Sequence, residues 1–245
     1  QGVSSAASDV YKRQQIVTLT YPHIGNYGVN AEDLESRRVF AAGLIVKDLA
    51  LHASNFRQTQ TLSAFLQAAA TVAIAHIDTR QLTRHLRTHG AQNGCILALR
   101  PGQAADAASR RAAIEAARAA PSMAGLDLAR VVSVTQPYAW TQTEWALGSG
   151  YGVQTQPRFH VVAYDFGIKS NILRMLAQRG CRLTVVPAQT TAADALALGP
   201  DGIFFSNGPG DPQPCDYAIV AARTLMASGI PAFGICLGHQ IMALA

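Results

Sequence analysis

Apolar and polar positions along this chain change rhythm near residue 160. Beyond that point, short apolar runs alternate with helical patterns. Strand His160–Tyr164 precedes helix Ile168–Arg179, which Gly180 is placed to end. Strand Arg182–Val186 precedes helix Thr191–Leu198, strand Gly202–Ser206 precedes helix Asp216–Ala227, and strand Ala232–Ile235 leads into a last helical pattern. Apolar strands separated by helices predict a parallel sheet covered on both faces. Its functional edge is expected at the carboxyl ends of the strands.

The earlier part is less regular. A β-rich run, Gln15–Tyr21, is closed by Pro22 and the turn-prone Gly25-Asn26-Tyr27-Gly28. Ala42–Val46, Leu49–Ser54 and Gly94–Leu99 read as strands, and Asp78–Arg87 as a helix capped by Asp78 or Thr79. On that helix Leu82 and Leu86 share one face and Arg80, Arg84 and Arg87 another, which reads first as a solvated face. The Ala-rich Gln103–Ala120 stretch is a surface helix stopped by Pro121. Residues 1–14 are small and polar without periodicity and read as a foreign or disordered leader. Leu147–Pro157, rich in Gly and polar residues, is the linker candidate. The chain therefore reads as α/β: a leader 1–14, an amino-terminal mixed β/α domain 15–150, a linker 151–159 and a parallel-sheet domain 160–245.

Composition narrows the picture. Hydrophobic residues are 49% and charged residues 14%, which supports a packed core. The net charge of +5 comes mostly from scattered arginines, with Lys12, Lys47 and Lys169 the lysines, so nucleic-acid binding is not indicated. Cys95, Cys181, Cys215 and Cys236 form no Cys-x-x-Cys pair and no zinc-spaced cluster, so no metal site is expected. No apolar run approaches the ~20 residues of a membrane span. The absence of a signal-peptide pattern fits a reducing cytoplasm.

The chemistry concentrates at Gly234-Ile235-Cys236-Leu237-Gly238-His239-Gln240. A free cysteine is ordinarily a small buried residue. Here two glycines bracket it where an apolar strand gives way to a helical pattern, the arrangement of a nucleophile on a sharp strand-to-helix turn. Such a turn strains the nucleophile's backbone and needs small neighbours. It sets the sulfur at a helix amino end and leaves the Leu237 amide free to donate to an oxyanion. A second loop, Asn207-Gly208-Pro209-Gly210-Asp211-Pro212, follows another strand at the same edge. Alone it reads as a Pro-Gly turn, and its position argues for an anion or carbonyl site.

Together these stretches resemble the class I glutamine amidotransferases: the first their nucleophile elbow, and Phe204–Pro212 their oxyanion-strand loop. Residues 15–245 resemble the small subunit of glutamine-dependent carbamoyl phosphate synthetase. Gln15–Asn26, Ile77-Asp78-Thr79-Arg80, Gly90-Ala91-Gln92-Asn93-Gly94 and Val162–Gly167 carry that resemblance. It implies a glutaminase in which Cys236 attacks glutamine's side-chain amide through a thioester, while Gly208, Gly210, Leu237 and Gln240 position the substrate. It further implies a large-subunit partner that uses Mg and ATP to make carbamoyl phosphate for arginine and pyrimidine synthesis. No metal or cofactor is expected in this chain.

The same resemblance implies a catalytic His and Glu far beyond the elbow and a glutamine-contacting serine near the start, and none of these matches a position here. His239 belongs to the elbow and is not the base, and the other six histidines show no such pattern. The expectation is a fragment lacking both ends and inactive alone, with Ile241, Met242 and Leu244 short of cover. Rival readings are another class I amidotransferase, which glutamine-dependent ammonia release would test, and a non-catalytic docking fragment. Normal activity after Cys236→Ser would favour the latter.

Overall fold

The computed structural model describes residues 15–36, 38–122 and 125–245. The expected leader, residues 1–14, lies outside the described residues. The chain divides into two compact units, residues 1–122 and 123–245.

In the first unit, β1 (Ile16–Leu19), β2 (Gly43–Val46) and β3 (Val72–Ile74) form a parallel sheet in that order. Helix α1 (Leu62–Ala68) leads to β3, and α2 (Thr79–His89) and α3 (Ala107–Ala119) follow it. The start signals lie where the side chains predict. Asp78 caps α2 by accepting from Gln81 N, and Asp106 forms a reciprocal capping box with Ser109 on α3.

Two expected strands are not strands. Beyond a single bridge between Leu49 and Ile24, the Leu49–Ser54 backbone bonds to a loop, with Ala50 N donating to Ile24 O and Ser54 N to Asn26 O. Gly94–Leu99 has no regular structure, and it meets the sheet through side chains: a Cβ on Gly43 would lie 2.9 Å from Ile96 Cδ1. Apolar content draws this segment onto the sheet without bringing it into the hydrogen-bond ladder.

In the second unit, α4 (Leu128–Val132) precedes β4 (Tyr138–Trp140), β5 (Gln142–Ala146) and β6 (Gly150–Val153). The alternating part follows as β7 (Phe159–Asp165), α5 (Ser170–Gln178), β8 (Cys181–Pro187), α6 (Ala192–Ala197), β9 (Gly202–Phe205), α7 (Asp216–Ala227), β10 (Ala232–Gly234) and α8 (Leu237–Leu244). The sheet runs β10-β9-β7-β8-β4, parallel except for β4. Both faces are packed, as the continuous apolar strands require. Val162, Tyr164, Ile203 and Phe205 meet Ala195, Ala218, Ala222, Leu225, Leu237 and Ile241 from α6, α7 and α8 on one face. Ala163, Leu183, Val185 and Phe204 meet Leu173 and Ala177 of α5 on the other.

The Leu147–Pro157 stretch, expected as a linker, is in large part a hairpin. β5 and β6 pair antiparallel around Gly148 and Gly150, whose φ values of +88° and +71° suit the turn. Arg174 of α5 holds this hairpin, donating from Nε to Gln142 Oε1 at 2.9 Å and lying 4.1 Å over the Tyr151 ring. The expectation that Ile241 lacks cover is also overturned. Ile241 is fully buried and Met242 packs against the same cluster, because α8 folds back onto β9 and α7, while Leu244 is 45% exposed.

Candidate active site

Three loops leave the carboxyl ends of β7, β9 and β10, which are neighbours in the sheet. β8 and β9 pair with opposite edges of β7, so strand order reverses there and opens a crevice of the kind in which open α/β sheets bind ligands.

Cys236 sits between β10 and α8 with φ +53° and ψ −112°, a conformation that L side chains rarely adopt. Its neighbours hold it there. Gly238 N lies 3.0 Å from both Ser206 O and Ile235 O, and Ile235 N donates to Phe205 O at 3.0 Å. Neither flanking glycine can be replaced cheaply. A Cβ on Gly234 would lie 2.7 Å from His239 N, and one on Gly238 would lie 2.1 Å from Phe205 O. The sequence requirement for small residues thus has a definite cause: the first turn of α8 crosses directly over the ends of β10 and β9.

Cys236 is exposed, as a nucleophile must be to meet a substrate. The buried Leu237 contributes the N–H that opens α8, where no intrahelical carbonyl is in range. Gln240 is exposed one turn along, its N–H donating to Cys236 O. Gly208 is wedged beside the elbow, since a Cβ there would meet Phe166 O at 2.2 Å and Leu237 Cδ2 at 2.8 Å. Gly210, with φ +91°, packs against Leu128 of α4. The structure therefore brings Cys236, Leu237, Gln240 and Gly208 to one edge, with Gly210 farther along the same loop.

Side chains that the sequence reading left without roles bind these loops together. The buried Asp165 accepts from Gly167 N and Ile168 N at 2.9 Å and from Val134 N at 2.8 Å. Ser206 Oγ accepts from Phe166 N and donates to Asn207 O. Asn207 accepts from Lys169 N at 3.2 Å and donates to Gly167 O at 3.0 Å. Each lies inside a stretch that carries the resemblance, but pairings between segments 31 to 40 residues apart leave no periodic trace in a sequence.

The histidines bear on proton transfer. No hydrogen bond joins Cys236 Sγ to a histidine or carboxylate among the described residues. His160 is buried near the amino end of β7, with Nε2 2.8 Å from Thr184 Oγ1, and serves the core there. Behind the site, burial pushes the Cys215 thiol up to about 11, with the Asp127 carboxylate 3.8 Å from its sulfur adding to the shift. Burial likewise raises Tyr217, whose hydroxyl donates to Asp127. Among the described residues no group of three or more His, Cys, Asp or Glu could hold a metal ion. No helix among them is long and apolar enough to cross a membrane.

A sharp cysteine elbow at the carboxyl edge of a parallel sheet is the arrangement of a class I glutamine amidotransferase domain, and residues 162–245 match that family. Residues 2–96 match the family described as carbamoyl-phosphate synthase small chain, CPSase domain, a range that begins inside the stretch read as a leader. The chain is 64% identical over 244 residues to the carbamoyl phosphate synthase small chain of Ralstonia nicotianae, covering 100% of itself and 63% of that protein. It is 63% identical to the Rubrivivax gelatinosus protein of the same name and 57% identical to the Escherichia coli one, covering 64% and 63% of their lengths. The chain thus carries the matches of both a carbamoyl-phosphate synthase small-chain domain and a class I glutamine amidotransferase domain, and over its whole length it is similar to carbamoyl phosphate synthase small chains. It spans less than two-thirds of the length of these relatives.

Proposed function

We propose that the chain is the glutaminase part of a cytoplasmic carbamoyl phosphate synthetase. In this reading Cys236 Sγ adds to the side-chain carbonyl carbon of glutamine and the carbon–nitrogen bond breaks. Ammonia leaves with a proton and a thioester remains. Water then adds to the thioester, releasing glutamate and returning the thiol. The Leu237 amide and the Gly208 backbone face the carbonyl oxygen as it gains charge, and Gln240 and Gly210 help seat the substrate. Ammonia passes to a large-subunit partner, where Mg and ATP are used to make carbamoyl phosphate for arginine and pyrimidine synthesis. The chain itself uses no metal or cofactor and has no role with nucleic acid or membrane.

The observation that carries this reading is the strained, exposed Cys236, pinned to the β9 loop through Gly238 and Ser206. A buried structural cysteine needs neither the strain nor the exposure. The test uses the full-length small chain assembled with the large subunit. Cys236→Ser is expected to abolish glutamine-driven synthesis while ammonia-driven synthesis persists, because only the thioester step uses the sulfur. Equal loss of both would show a structural cysteine, and normal glutamine-driven activity would favour a docking role.

A further inference from the structure

The β9 loop has no helix or strand of its own to hold Gly208 in place, and its backbone bonds to the elbow come from Ser206 rather than from Gly208 itself. What fixes the far side of the loop is the Asn207 side chain. Its two polar atoms are used in opposite senses on one neighbouring segment, Oδ1 accepting from Lys169 N and Nδ2 donating to Gly167 O. An amide with both ends engaged can take only one orientation.

The segment it grips is itself fixed. Asp165 folds it by accepting from Gly167 N and Ile168 N, and anchors it to Val134 N from the same carboxylate. Phe166 N is held by Ser206 Oγ, and Phe166 O lies against Gly208. Gly208 is thus held between a locked β7 loop and Leu237 of the elbow.

We infer that Asn207 is a positioning residue for the glutaminase step: its bridge to Gly167 and Lys169 sets the Gly208 backbone at the distance from Cys236 that the oxyanion requires. This rests on the proposed function, since it presumes that glutamine reacts at Cys236. Both polar atoms of the Asn207 side chain are taken up by Lys169 N and Gly167 O, so it acts through the loop. Its loss therefore lowers the rate of addition, where the carbonyl oxygen gains charge, more than it weakens substrate binding.

The test compares Asn207→Ala, which removes both bonds, with Asn207→Asp, which keeps the acceptor for Lys169 N and opposes Gly167 O with a second acceptor. Both are measured in the full-length small chain with its large subunit, beside Cys236→Ser as a control. In both variants kcat for glutamine hydrolysis is expected to fall about tenfold or more, in line with the cost of a small misplacement at a reacting centre. KM, ammonia-driven synthesis and the rate of Cys236 alkylation by iodoacetamide stay at the parent values. A parent-like kcat in both variants, even with a lowered melting temperature, overturns the inference. So does loss of ammonia-driven synthesis in both, which would make the bridge a matter of folding alone. If Cys236→Ser retains glutamine-driven synthesis, the proposed function fails and this inference falls with it. If only the Asn207 variants behave as the parent, the proposed function stands without it.

Discussion

The two units use the same kind of part, short parallel strands in one sheet with helices along the chain, yet they bury their apolar side chains very differently. In the second unit Val162, Ala163, Tyr164, Leu183, Val185 and Phe205 are all fully buried. In the first, among the described residues, only Asn30, Gly43, Val46 and Thr79 are buried, and Val17, Leu19 and Ile74 are 37% exposed or more. A strand packed on both faces has its ends fixed on all sides, so the loops at those ends can hold a strained residue such as Cys236. A strand with one loosely covered face offers no such anchor. The difference explains why every element of the candidate site lies in the second unit.

The strongest way to break that anchor is Gly238→Ala. The added methyl would lie 2.1 Å from Phe205 O, and backbone cannot yield as a flexible side chain does. The expected cost is about 3 kcal/mol, the upper end for overpacking, and in the full-length small chain the proposed glutamine hydrolysis should be lost with it. Gly90→Ala in the first unit is the contrasting case, since nothing lies within 4 Å and only the φ of +78° is strained. With ψ at −176° this is a region nearly reserved for glycine, so the variant should cost about 1–3 kcal/mol while leaving the site untouched. Urea denaturation of both variants, with hydrolysis assays, checks the pair.

A second comparison truncates equivalent leucines. Leu225→Ala removes a fully buried side chain and should cost about 2–5 kcal/mol. Leu19→Ala removes one that is 37% exposed and should cost about 1 kcal/mol or less. Both tryptophans, Trp140 and Trp145, lie in the second unit, so their fluorescence reports that unit's unfolding. Leu225→Ala should move the fluorescence midpoint strongly, whereas Leu19→Ala should hardly move the midpoint followed by far-ultraviolet circular dichroism, which reports both units. Equal shifts would show that the contrast in burial has no energetic counterpart.

The smallest effect concerns alkaline pH. Burial raises the Cys215 thiol from 9.0 to about 11, so the folded state favours the neutral form. The associated stability is present in full below pH 9.0 and is lost as pH rises through about 11. Tyr217, raised for the same main reason, acts in the same direction. The fluorescence midpoint should therefore fall across this window, and less steeply in Cys215→Ala. An identical slope in the variant would show that Cys215 does not contribute.

The contrast in burial also sets what the sequence could reveal. Strands β7 to β10 were legible because packing on both faces forces unbroken apolar runs between helices. The elbow was legible because Gly234 and Gly238 are demanded by backbone contacts that no other residue allows. Gly94–Leu99 misled because Ile96 is apolar for the sake of a side-chain contact, not a ladder. The β5–β6 hairpin hid behind its turn glycines, which read as a linker until Arg174 is seen to hold it. Asp165, Ser206 and Asn207 were invisible as a group because each makes a loop-to-loop bond with a residue far away in the chain.

Strand order also governs the sequence of events as the polypeptide leaves the ribosome. Of the parallel strands β7 is made first, yet it stands inside the sheet, with β8 on one edge and β9 on the other. β10 can dock only after β9 has closed onto β7, and the bonds that hold Cys236 in its strained shape, from Gly238 to Ser206 and from Ile235 to Phe205, presuppose that docking. Pairings between segments far apart in the chain form slowly, because loop closure must precede the contacts that reward it. The strained geometry therefore waits on both pairings, and the cysteine stays ordinary and relaxed until β9 and β10 are in place.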